Sequence, residues 1–143
     1  MARTTKANRT TTATVTVDAI DKLIEKLNTI EGIEFVRDAW QEKAPDNYGV
    51  VELSGESKQL WADGHLTDSI YRVIVHLYVK DDDDTWPAKV QEKLEALESD
   101  GVLDTTHTNS REFLMDIVKV HWTWSVFMYG PLTWTETVPA GGN

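Results

Sequence analysis

Apolar residues recur along this chain with two different periods, and the switches between them mark out the elements. The clearest stretch is S-I-Y-R-V-I-V-H-L-Y-V at residues 69–79. Tyr71, Val73, Val75, Leu77 and Val79 fall on one side of it, and Ile70, Arg72, Ile74, His76 and Tyr78 on the other. Period-two alternation rich in β-branched and aromatic residues predicts a strand. The first face is fully apolar and predicts contact with a helix layer, whereas the mixed second face predicts a partly wet surface. Residues 117–129, I-V-K-V-H-W-T-W-S-V-F-M-Y, repeat the pattern. There Val118, Val120, Trp122, Trp124, Val126 and Met128 stand against Lys119, His121, Thr123, Ser125, Phe127 and Tyr129. The two stretches are expected to be neighbours in one sheet.

Helical spacing appears twice. Val17, Ile20, Ile24, Leu27 and Ile30, widened by Leu23, predict a one-faced helix with Thr16 as cap and Gly32 as stop. Trp86, Val90, Leu94 and Leu97 predict a second, capped by Thr85, with Pro87 in its first turn and Asp100-Gly101 at its end. Between them, residues 33–38 read as a strand, and residues 50–53 as a short one most simply paired antiparallel with it, closed by residues 54–56. Residues 57–68 make an excursion around the turn signal Asp63-Gly64, either a loop pinned to the body or a little hairpin. Residues 102–108 read as a weak strand or a loop. A final strand or strand pair runs from 112 to 129, with irregular parity at 115–117 that predicts a bulge. This order defines an α+β fold in two layers, a mostly antiparallel sheet with two helices packed on one face.

A length of 143 residues suits one domain. The pattern divides it into a flexible basic arm at 1–14, the domain at 15–130 and a C-terminal tail at 131–143. The arm carries Arg3, Lys6 and Arg9 among threonines, with little apolar area to offset the entropy of ordering. An acidic body would attract such an arm from a neighbouring subunit. The chain has no cysteine, which excludes disulfides and thiolate chemistry. No apolar run is long enough to predict a membrane span, and the N-terminal residues do not read as a secretory signal. A formal net charge of −10 opposes broad binding to nucleic-acid backbone, but not DNA passing through an assembly without being held.

Candidate chemistry is sparse. Asp81, Asp82, Asp83 and Asp84 lack the interleaved spacing and the glycine of a calcium loop. They read as a solvated turn, as a charged surface used in assembly or lining a channel, or as a weak divalent-ion site. His65, His76, His107 and His121 are scattered, although His76 and His121 could become cross-strand neighbours if the register allows. A metal would need three or four convergent ligands. No nucleophile elbow, phosphate loop or H-E-x-x-H motif occurs, so no catalytic, cofactor-binding or metal residue is expected and the chain does not read as an enzyme. Six tryptophans are more informative. They suggest a bulky inner sheet face or, for Trp61 and Trp134 especially, anchors buried between subunits, with a carbohydrate platform as a third reading.

V-V-E-L-S-G-E at residues 50–56, L-W-A-D-G-H at 60–65 and Y-R-V-I-V-H-L-Y-V at 71–79, followed by an acidic turn and a short helix, resemble the tail terminator (tail completion) proteins of long, non-contractile-tailed bacteriophages. The likeness spans about residues 17 to 130 and rests on pattern and element order. It implies a structural virion protein, six copies of which ring the head-proximal end of the tail tube, stop its growth and join it to the head. The implied partners are further copies of the chain, the tail tube protein, a head-completion or neck protein, and DNA in transit without sequence-specific binding. No cofactor is implied. The implied location is the virion tail, and the host cytoplasm during assembly. The basic arm and the Trp134 tail depart from the family pattern. They leave open another neck or head–tail joining protein, or a non-viral protein-interaction domain.

Overall fold

The computed structural model describes residues 11–62, 65–103 and 105–139, with side chains except at 55–69 and 105–108. The elements are β1 (Thr12–Asp18), α1 (Ala19–Leu27), β2 (Phe35–Arg37), β3 (Tyr48–Ala62), β4 (His65–Val79), α2 (Thr85–Ser99), β5 (Thr105–Leu114), β6 (Lys119–Tyr129) and β7 (Thr133–Pro139). They build the expected α+β two-layer fold. A five-stranded sheet in the order β2-β3-β4-β6-β5 is covered by both helices on one face, and β1 and β7 pair as a separate two-stranded ribbon.

The alternating stretch at 69–79 forms the centre of that sheet. Val73, Val75 and Leu77 are fully buried beneath Leu23 and Leu27 of α1 and Val90 and Leu94 of α2. β6 lies antiparallel beside β4, with Val126 opposite Val73 and Trp124 opposite Val75. Trp124 is buried and its indole N–H donates to Gln91 Oε1 of α2 at 2.8 Å, so the sheet and helix are joined by a hydrogen bond as well as by packing. Each buried side chain of this size contributes about 1.5–3 kcal/mol by leaving water.

Several boundaries differ from expectation for identifiable reasons. Thr12, Ala13 and Thr14, assigned to the arm, begin a strand, and residues 133–139 of the predicted tail are its partner across seven register pairs. The T-x-T-x-T alternation of Thr12, Thr14 and Thr16 is a β pattern that the low hydrophobicity of the segment masked. Residues 1–10 and 140–143 lie outside the described residues. Thr16 therefore pairs with Thr135, and Asp18 caps α1, its Oδ1 accepting from the N–H groups of Ile20 at 2.8 Å and Asp21 at 3.1 Å. The helix stops at Leu27, not at Gly32. Gly32 adopts φ 93° in the following turn, with the Trp86 ring so close that a Cβ would sit 2.8 Å from it. In α2 the cap position belongs to Asp84, and Thr85 is the first helical residue.

β2 runs parallel to β3, not antiparallel. The side chain of Asn28 explains the choice: its Oδ1 accepts from Phe35 N–H at 2.7 Å and its Nδ2 donates to Phe35 O at 3.1 Å, tying β2 to the end of α1. Residues 38–47 then cross back to start β3 in the same direction. The strand expected to close at 54–56 runs on, through irregularities near 53–55, 56–58 and 60–61, to residue 62. β3 and β4 thus form one long hairpin joined at Asp63-Gly64, which lies outside the described residues. At 115–117 there is a turn, not a bulge: β5 pairs with β6 from Leu114 opposite Lys119 backwards, so Val118 belongs to the turn and not to the inner face of β6.

Two measurements check this packing. A Cβ on Gly49 would lie 2.1 Å from the ring of Phe35, itself 1% exposed, so Gly49→Ala is expected to cost about 1–3 kcal/mol in urea unfolding through overpacking. Burial pushes the Asp18 carboxyl upward, but the Asp21 N–H, the Arg37 guanidinium and the Ile20 N–H together outweigh it and hold it below 3.8. Its contribution is present above the unfolded-state value and is lost as pH falls through the folded one. Asp18→Asn keeps the cap acceptor and loses the charge, so its stability should fall less than that of the parent on acidification below about pH 4, with a loss under about 1 kcal/mol at neutral pH.

Candidate functional site

The face of the sheet away from the helices carries the most organised polar cluster. Glu52 on β3, His76 on β4, His121 on β6 and Glu112 on β5 form a line across four strands. His76 Nε2 lies 2.8 Å from Glu52 Oε1, His76 Nδ1 lies 2.8 Å from His121 Nε2, and His121 Nδ1 lies 2.9 Å from Glu112 Oε1. The possibility of cross-strand histidines is realised diagonally: His121 is opposite Tyr78, and His76 opposite Thr123. Ligands strung in a line do not converge, and among the described residues no group of three or more His, Asp or Glu is placed to hold a metal ion. Chemically the line is a cross-strand brace.

Beside it opens a cleft of about 450 Å³. Residues 38–44 fold over the end of the open face, placing Asp38, Trp40 and Glu42 across from Tyr48, Glu52 and Tyr78. Tyr48 stacks on Tyr78 at 4.9 Å and meets Trp40 edge-on at 5.8 Å. Burial raises both tyrosine hydroxyls, Tyr78 further through Tyr48, Glu52 and Glu112, so both remain neutral donors. Lys119 bonds the Asp46 carbonyl and stands 5.8 Å from the Tyr48 ring.

A third feature is the tip of the β5–β6 hairpin. Phe113 is 53% exposed, Met115 80%, Ile117 47% and Val118 65%, a run of large apolar side chains on a turn. Val118 adopts φ 52°, a conformation that β-branched residues strongly disfavour. The irregular parity of F-L-M-D-I-V was the sequence signal for this tip, and reading it as a bulge placed its side chains in the sheet.

The sequence-derived candidates are dispersed. Asp81, Asp82, Asp83 and Asp84 are all exposed before α2. Asp82 is held by both ends of the Arg111 fork, which lowers its pKa, and Asp83 accepts from Thr85 N–H at 2.9 Å. One charge of the four is thus paired with β5. Trp134 is half-buried against the core at the foot of the ribbon and donates to Glu136 at 2.8 Å. The backbone of Trp61 sits in β3 opposite Leu66, and its side chain lies outside the described ones.

A scan of family models gives no match to this chain, and no curated protein matches its sequence. The acidic run can be tested directly: replacing all four aspartates by Asn should leave the fold intact, and low-millimolar calcium should leave the melting temperature of both proteins unmoved. Stabilisation of the parent alone by several degrees would make the run an ion site.

Proposed function

We propose that this protein is a non-enzymatic structural subunit that assembles head-to-tail into a closed ring, in the manner of a phage tail terminator at the head-proximal end of the tail tube. The observation that carries the assembly part is the apolar hairpin tip. Phe113, Met115, Ile117 and Val118 expose large apolar side chains at and beside the turn that follows the edge strand β5. Surface of this kind favours contact with another protein. A ring needs heterologous contacts, two different patches that fit one another. The two edges of this sheet differ as that requires: one is the three-residue β2 beside an aromatic cleft, continued by β3 beyond Val51, and the other the ten-residue β5 ending in the apolar tip. The tube-capping role rests on the sequence resemblance alone.

The strain at Val118 supports the same reading. Glycine there would relieve the left-handed backbone, so a bulky side chain is retained where folding disfavours it. Val118→Gly should stabilise the free chain by about 1 kcal/mol in urea unfolding while weakening association. Met115→Ser with Ile117→Ser should leave the fold unchanged and abolish association in light scattering with or without tail tube protein. A parent chain that stays monomeric and never enters tails would refute the ring.

A further inference from the structure

The ribbon of β1 and β7 has an unusual relation to the body. Asp18, at its foot, caps α1, and Ala19 N–H donates to Leu132 O at 2.7 Å. Beyond that foot, successive residues of β1 point to opposite faces, yet Thr12, Ala13, Thr14, Val15 and Thr16 are all exposed. A strand lying on the domain would bury one of the two faces. The ribbon therefore stands off the body and carries the start of β1 roughly 20 Å from its foot, at about 3.3 Å per residue. Two strands alone are marginally stable in water, so such a ribbon gains from a second surface. The residues before Thr12 include Arg3, Lys6 and Arg9 and no acidic residue. Fully extended, they reach at most roughly 35 Å further.

The cleft on the open face has the complementary chemistry. Asp38, Glu42 and Glu52 line it, no lysine or arginine does, and Trp40, Tyr48 and Tyr78 supply aromatic surface. Carboxylates beside ring faces select a cationic side chain on an extended stem, whose charge meets the acids and whose methylenes lie on the rings. Glu52 is shared between the cleft and the histidine line, so it is already oriented by His76.

We infer that the cleft is a receptor for a basic side chain, and that its occupant is the segment before β1 of a second copy, delivered by that copy's projecting ribbon. The contact deepens the ring reading: ribbon and cleft are different surfaces, so the contact can pass in one direction from copy to copy around a ring, and it depends on that reading for the second copy. Its strength is electrostatic at the entrance, where Asp38 and Glu42 lie, and is screened by salt.

The test uses the full chain in three versions, with association followed by light scattering against concentration at about 0.1 M salt. Arg3→Ser, Lys6→Ser and Arg9→Ser together neutralise the arm without touching a described residue. Asp38→Asn with Glu42→Gln neutralises the entrance, Asn being well suited to φ 66° at position 38. Each should raise the half-association concentration at least tenfold, and the difference from the parent should shrink in 1 M salt. A ring that forms equally well with the neutralised arm overturns the receptor and leaves the ring standing. A change in tryptophan fluorescence with neutralisation but no change in mass means that the arm lies on its own body, which also overturns the inference. A parent that stays monomeric at every concentration overturns both readings.

Discussion

The structure depends on the two unlike faces of β4. Its inner residues Val73, Val75 and Leu77 have no exposure at all, and every layer above them is arranged to keep it so. Two helices cover only one side of a five-stranded sheet, so the apolar effect that fixes the inner face gives little to the outer one. The outer face is held instead by side chains reaching sideways. Glu52, His76, His121 and Glu112 link four adjacent strands, and the rings of Tyr78 and His121 lie nearly parallel at 4.4 Å. A directional network on one face and non-directional packing on the other fix the same register twice, because a one-residue slip would break both.

The same economy leaves the edges open. A sheet with free edges is prone to pair with other chains unless the edges are short, charged or covered. β2 is short, and residues 38–44 fold beside it; β5 is long, but Arg111 within it is engaged by Asp82. The acidic turn before α2 thus has a role within the fold, neutralising a basic residue on an edge strand, besides the unpaired charge it presents. Arg37 at the other edge is likewise engaged by Asp18 and Asp21 at 3.1 and 3.0 Å. Both edges carry paired charges, and the most exposed large apolar side chains among the described residues, Phe113, Met115 and Val118, lie at the end of β5 and in the turn that follows.

How much of this was legible follows from which forces were local. The inner face of β4, the α2 stripe and the fold class could be read because period and burial coincide there. Residues 12–18 could not, since a thin ribbon buries almost nothing and its partner lies more than a hundred residues away in the chain. The parallel pairing of β2 turned on one amide, Asn28, whose two hydrogen bonds to Phe35 have no periodic signature. The cleft was invisible for the same reason: Asp38, Trp40 and Glu42 come from a loop, and only the tertiary fold brings them over Tyr48 and Tyr78. Trp134, singled out as an anchor between subunits, stands half-buried against its own domain, because the ribbon it belongs to has its foot there.

What remains unexplained by folding alone is concentrated in a few places. A chain shaped only by its own stability would place glycine at position 118, polar residues at 115 and 117, and no ribbon standing free of the core. Each departure costs the free monomer something: backbone strain at Val118, apolar exposure at the tip, and ordering entropy in β1 and β7 that few contacts repay. Costs of this kind persist where the surface is completed by another molecule. Because the tip, the ribbon and the cleft are three different surfaces, no simple two-fold pairing of one patch with itself would satisfy them all. Repeated unlike contacts around an axis, as in the proposed ring, would satisfy them.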